Sequence, residues 1–227
     1  MVTMAIKTEE DAKAASAQKK ISIYKDVVPL TVGMLSDNTK ASKEKMIATI
    51  HKSILGLNKQ GQLRPISDLK LFMAQASQYG LNPFKKEIYA TYMWDREKGE
   101  ILTPIVSIHG LRKLARQGGT YTHTGAADVV MSEDGKTIIS ATVPVYGQYD
   151  KSTPPVEVTR YTAMFDEFAK TNKEGNLTST WAKMPRVMII KCAEANAIRQ
   201  GFDISGIYIE EEIARTNVIE GEEVTSE

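Results

Sequence analysis

Lys191 and Arg199 stand eight residues apart in the stretch TWAKMPRVMIIKCAEANAIRQGFDISGIY, Thr180–Tyr208. On a helix that separation is about 12 Å along the axis and about 80° around it. Both cations can then face one side and reach phosphates about two nucleotides apart on an extended strand. Arg186 projects about 140° away from Lys191 on an ideal helix, so it needs a distorted first turn or serves a different strand. Trp181, just ahead of this helix, is either a stacking platform for a base, worth about 1–3 kcal/mol in single-strand binders, or a core residue. A second basic group is Lys85 and Lys86, entering a strand, with Arg96 and Lys98 at the turn beyond it and Tyr89, Tyr92 and Trp94 between. Cations beside aromatics at a hairpin tip can track a sugar-phosphate backbone, although aromatics that alternate inward more often belong to the core.

The charge layout supports the same chemistry. The formal net charge is only +1, but residues 1–202 hold 28 Lys and Arg against 20 Asp and Glu, whereas 203–227 hold one Arg against eight acids. A basic body suggests a polyanionic ligand such as nucleic acid. Single lysines such as Lys40, Lys43 and Lys45 ordinarily just solvate helix surfaces. The acidic segment from Glu210 reads as a solubilising tail.

Other classes lose ground on composition and motif. With 42% hydrophobic and 25% charged residues in 227, the chain can bury a core and is not globally disordered. No run reaches the roughly 18 to 20 apolar residues of a membrane helix, and Met1–Lys20 lacks the apolar centre of a signal peptide, so a cytoplasmic protein without membrane association is expected. One cysteine, Cys192, and three histidines, His51, His109 and His123, at no ligand-like spacing point to no metal. Gly135-Lys136-Thr137 resembles the end of a phosphate loop, but Val130 stands where its first glycine belongs and the segment is a turn between strands. Asn176-Leu177-Thr178 has the glycosylation pattern, which carries no consequence without secretion. The acid pairs Asp166–Glu167 and Glu210–Glu212 lie in a loop and in the tail. No catalytic residues and no cofactor are expected. A metal-dependent nuclease remains the enzyme alternative, and it would require the fold to gather acids such as Asp128, Asp134 and Asp150.

The elements that must position these residues read as follows. A helix is expected over Ser42–Leu57, with Met46, Ile47, Ile50, Ile54 and Leu57 at helical spacing, and a second from Pro65 to Tyr79–Gly80, with Leu69, Phe72, Met73 and Ala76 inward. Glu87–Trp94 and Ile101–Ile108 form a hairpin around DREKGE, with Pro104 marking an edge or a bulge. A short helix, Gly110–Gln117, is followed by strands at Tyr121–Met131, Thr137–Tyr149 and Val156–Ala163, a meander. Residues 165–180 read as a polar loop and Thr180–Gln200 as a long helix, in which Pro185 is tolerated only in the first turn. The expected class is α+β, a mostly antiparallel sheet packed on helices, with an N-terminal arm (1–40, partly mobile), a core (41–208) and the acidic tail (209–227).

Three segments carry a likeness: Gln78–Ala90 (QYGLNPFKKEIYA), Pro104–Leu111 (PIVSIHGL), and Ser205–Tyr208 (SGIY) followed by Glu210-Glu211-Glu212. They closely resemble the phage single-strand annealing recombinases of the Beta/RecT family, on the lambda Beta side, over roughly Ser67 to Arg215 and in the same order. The resemblance implies a homologous-recombination protein of the bacterial host cytoplasm that binds single-stranded DNA, assembles into rings or helical filaments and pairs complementary strands without ATP. It implies a curved sheet with a long C-terminal helix behind a positively charged groove, similar to Rad52-type annealing proteins. DNA-contacting cations are implied at Lys86, Arg96, Lys98, Arg186, Lys191 and Arg199, and more weakly at Lys151. Partners implied are single-stranded DNA and the annealed duplex, further copies of the chain, a phage exonuclease and the host single-strand-binding protein. Two positions depart from the family pattern: His109 is usually acidic and Leu111 usually aromatic. A phage structural protein that multimerises without DNA is the remaining alternative.

Overall fold

The computed structural model describes residues 43–172 and 174–209. The expected arm, Ser42 at the start of the first expected helix and the acidic tail beyond Ile209 lie outside the described residues. The chain divides into two compact units, Met1–Pro104 and Ile105–Glu227.

Among the described residues the first unit opens with helix α1 (Lys43–Thr49), which widens into a π-helical turn (Ile50–Leu55). The predicted helix stops two residues early, because Gly56 takes φ +75°, a conformation that ends a helix at little cost only for glycine. Helix α2 (Ile66–Gln78) follows Pro65 and buries Leu69, Phe72, Met73 and Ala76, the face expected from their spacing. A 3-10 turn (Pro83–Lys85) leads into strands β1 (Ile88–Asp95) and β2 (Gly99–Val106), which pair as the predicted hairpin.

In the second unit the last two residues of β2, Ile105 and Val106, pair in parallel with β7 (Tyr208–Ile209). The expected strands therefore fall into two sheets, with no closed barrel among the described residues. Helix α3 (Ile108–Gln117) starts at Ser107, whose Oγ accepts the Gly110 N–H at 3.1 Å, a serine cap of the ordinary kind. Strands β3 (Tyr121–Thr124), β4 (Asp128–Met131), β5 (Ile138–Gly147) and β6 (Val156–Met164) form an antiparallel sheet in which β6 pairs along one side of β5 and β3 and β4 share the other.

Proline explains why one predicted strand, Tyr121–Met131, is two. Pro144 sits inside β5 and has no N–H to give. Its carbonyl accepts from Gly125 at 2.9 Å, so its nitrogen faces the same side, opposite Gly125–Ala127, where the chain leaves the ladder. A β-carbon on Gly125 would lie 2.8 Å from Tyr146 Cε2 and 2.9 Å from Pro144 Cγ.

The predicted polar loop contains helix α4 (Phe165–Phe168), a bridge between Thr171 and Leu177, and helix α5 (Ser179–Lys183). The expected single helix from Thr180 to Gln200 is interrupted. Met184 (φ −136°, ψ 51°) separates α5 from α6 (Pro185–Gly201), and Pro185 occupies the first helical position, where a missing N–H costs nothing. Helix α6 packs against β5, β6 and α3. Ala141, Val143, Ala163, Phe168, Trp181, Ile189, Cys192 and Ala193 form the core of this unit.

Candidate nucleic-acid interface

The predicted cations fall in both units. In the first, a local clasp positions Lys86. Asn82 Oδ1 accepts the backbone N–H groups of Phe84 (2.9 Å) and Lys85 (3.4 Å), and the largely buried Glu87 carboxylate accepts the N–H of Asn82 at 2.7 Å. The clasp leaves Lys86 exposed with φ 56°, in the left-handed region that L-residues seldom adopt. Arg96 and Lys98 are exposed on the hairpin turn. That turn is held by Asp95, whose Oδ1 accepts from Glu97 N (2.9 Å) and Lys98 N (2.8 Å). The Lys98 N–H first, then that of Glu97, holds the Asp95 carboxyl below its usual range. Gly99 closes the turn at φ +75°.

Beside the hairpin lies a linked set of charges and rings. Glu100 accepts from Arg64 at 2.6 Å and pairs with Lys59 at 3.3 Å, and these contacts, that with Arg64 first, lower its carboxyl from the ordinary glutamate value. The Arg64 guanidinium lies 3.7 Å from the centre of the Tyr92 ring. Burial, with the negative charge of Asp68 next, raises the Tyr92 phenol well above its usual value, so it stays neutral.

The second unit carries Lys151, Arg186, Lys191 and Arg199. Lys151 is exposed in a turn organised by Asp150, whose carboxylate accepts from Ser152 N (2.9 Å) and Ser152 Oγ (2.7 Å). Arg186 is exposed in the first turn of α6, a turn without an acidic residue, where the helix dipole already contributes positive potential. Lys191 and Arg199 are half-buried. Between them Cys192, Ala193, Glu194 and Ala195 are all buried, so α6 is covered around its whole circumference there rather than along a single stripe. Arg199 Nε donates to the Ile204 carbonyl at 3.1 Å, so this side chain also fastens the segment that leaves the helix.

Trp181 requires correction as a base-stacking residue. It is 2% exposed and packs edge-on to Phe165, ring centres 5.6 Å apart. A base cannot reach its face, and the residue serves the core.

Sequence reading missed an ion pair between a half-buried arginine and a buried glutamate. Arg112 on α3 donates from Nε and Nη2 to the two oxygens of Glu194 on α6 at 2.7 and 2.8 Å, and Thr124 Oγ1 donates to the same carboxylate at 2.9 Å. Such a bidentate, satisfied pair fixes where one element sits against another.

A family model described as the RecT family matches residues 46–226. The chain belongs to the RecT family. This RecT-family chain is also similar to the protein named "Recombination protein bet" of Escherichia phage lambda, with 27% identity over 152 residues, 67% of this chain and 52% of that one. It thus spans about half the length of the curated relative it matches. No solved structure matches it. The match to the family covers the Asn82–Glu87 clasp, the hairpin, the Arg112–Glu194 pair and α6, so the residues described above lie within the part that RecT-family members share. Among the described residues no helix is long and apolar enough to cross a membrane.

Proposed function

We propose that this chain is a non-enzymatic, ATP-independent annealing protein of phage homologous recombination. It binds single-stranded DNA by its phosphates, assembles on it with further copies of itself and pairs complementary strands in the host cytoplasm. The observation that carries this reading is the family match over residues 46–226, supported by cations exposed at Lys86, Arg96, Lys98, Lys151 and Arg186. Residues 41–208 act as the DNA-binding and oligomerisation core, of Rad52-like type, flanked by the arm and the acidic tail. A phage exonuclease and the host single-strand-binding protein are its protein partners.

The physical task is to hold a strand while leaving its base edges free. Lys and Arg supply affinity without sequence preference by displacing counterions from phosphates. Lys191 and Arg199 join the exposed cations in this role, Arg199 alongside its contact with Ile204. Copies side by side on one strand multiply modest single-site affinity, and a correctly paired second strand adds phosphate contacts that a mismatched one does not.

The test combines single-strand binding across a salt series with annealing of complementary oligonucleotides in the absence of ATP. Binding falls steeply with salt, with a log–log slope that drops by about 0.7 for each phosphate contact removed, so the double change Arg96→Ala and Lys98→Ala flattens it by about 1.4. Pairing that requires ATP, or strand binding insensitive to salt, overturns the proposal. Cleavage of the DNA on adding Mg²⁺ favours a nuclease instead.

A further inference from the structure

Trp94 is 60% exposed at the end of β1, whereas tryptophan is highly buried on average. Its surroundings are organised. Lys59 Nζ lies 5.4 Å from the ring centre and is itself held by Glu100, which also holds Arg64. The indole is one wall of an open depression of about 350 Å³ that Gln60 and Asp68 also line. Within it two cations, Lys59 and Arg64, stand against two carboxylates, Asp68 and Glu100. The depression is therefore close to neutral and a poor phosphate site. An exposed indole beside polar groups instead suits a flat, uncharged ring with a hydrogen-bonding edge. The exposed cations Arg96 and Lys98 follow directly in the chain.

Resting on the single-strand reading above, we infer that Trp94 is the stacking platform for a nucleobase, while phosphates are taken by the turn beyond it. Every base has a π face, so such a platform adds affinity without sequence preference, as an annealing protein requires. Lys59 fixes the ring from one side, which lowers the ordering needed when a base arrives. The hairpin thereby supplies the aromatic contact that the buried Trp181 cannot.

The chain has two tryptophans, and the other, Trp181, is buried, so a change in emission on DNA binding reports Trp94. The experiment titrates the full chain with an oligothymidylate and with an abasic strand of equal length, reading tryptophan emission and affinity. Emission is quenched by oligothymidylate and not by the abasic strand. Trp94→Ala weakens oligothymidylate binding about five- to 150-fold, the range of one base–aromatic stack, and leaves abasic binding unchanged, while Trp94→Phe keeps most of the affinity. Equal quenching by both strands, or full oligothymidylate affinity in Trp94→Ala, overturns the platform. If neither strand binds wild type at any salt, the single-strand reading itself fails; if both bind equally and emission stays constant, only the platform does.

Discussion

The β1–β2 hairpin and helix α6 hold their cations in opposite ways. On the hairpin, Arg96 and Lys98 are exposed on a turn whose geometry is kept by the Asp95 carboxylate and by Gly99 rather than by burial of the two cations. On α6, Lys191 and Arg199 are half-buried in a helix enclosed on all sides at its middle turn, and Arg199 secures the chain beyond it. Removing a cation of the first kind is expected to disturb the fold less, so a change in affinity there reads more directly as binding. With the second kind, binding and folding change together, and a loss of DNA affinity carries meaning only beside a measurement of stability.

The largest effect belongs to the core around α6. Trp181→Ala empties a site lined by Phe165 and its neighbours and lowers stability by about 3–5 kcal/mol, measured as the shift in urea midpoint. Next, Arg112→Ala leaves the Glu194 carboxylate buried with only Thr124 to satisfy it and costs about 3 kcal/mol, seen in the same titration. A loss below about 1 kcal/mol from either change breaks the contrast, since α6 would then tolerate disturbance as a surface element does. On the hairpin, Arg96→Ala with Lys98→Ala moves stability by no more than about 0.5 kcal/mol while flattening the salt slope of binding. A large stability loss there removes the contrast between the two regions.

The smallest effect is electrostatic. Because the folded-state pKa of Glu100 is lowered by Arg64 and Lys59, its contribution is complete above the usual glutamate value, about 4.3, and is lost as pH falls through the lower folded value. Trp94 emission followed from about pH 6 downwards should stay constant until below that usual value and then change as Lys59 is released. A change centred at or above it means the contacts with Glu100 do not persist in solution.

Much of the frame was legible because its signals are local. Ile47, Ile50, Leu69, Phe72 and Met73 repeat at helical spacing, the strand formers of EIYATYMW flank the polar turn DREKGE, and Pro185 could be accommodated only at a helix start. What was not legible depends on distant partners. The break at Gly125–Ala127 follows from lying opposite Pro144, nearly twenty residues on in the chain, and Arg112 meets Glu194 across 82 positions. The pairing of β7 involves two residues, too few to show a pattern. Trp181 and Trp94 each stand near cations in the sequence; only the fold decides that the first is enclosed and the second open.

The turn that carries Lys86 has a consequence for how its side chain should be valued. A lysine with φ 56° pays a conformational penalty of about 1 kcal/mol or more that glycine would avoid. Lys86→Gly should accordingly make the protein harder to melt and poorer at gripping DNA, two quantities that thermal denaturation and strand titration read separately. Opposed movements of that sort would show the side chain serving by its charge against the preference of its own backbone.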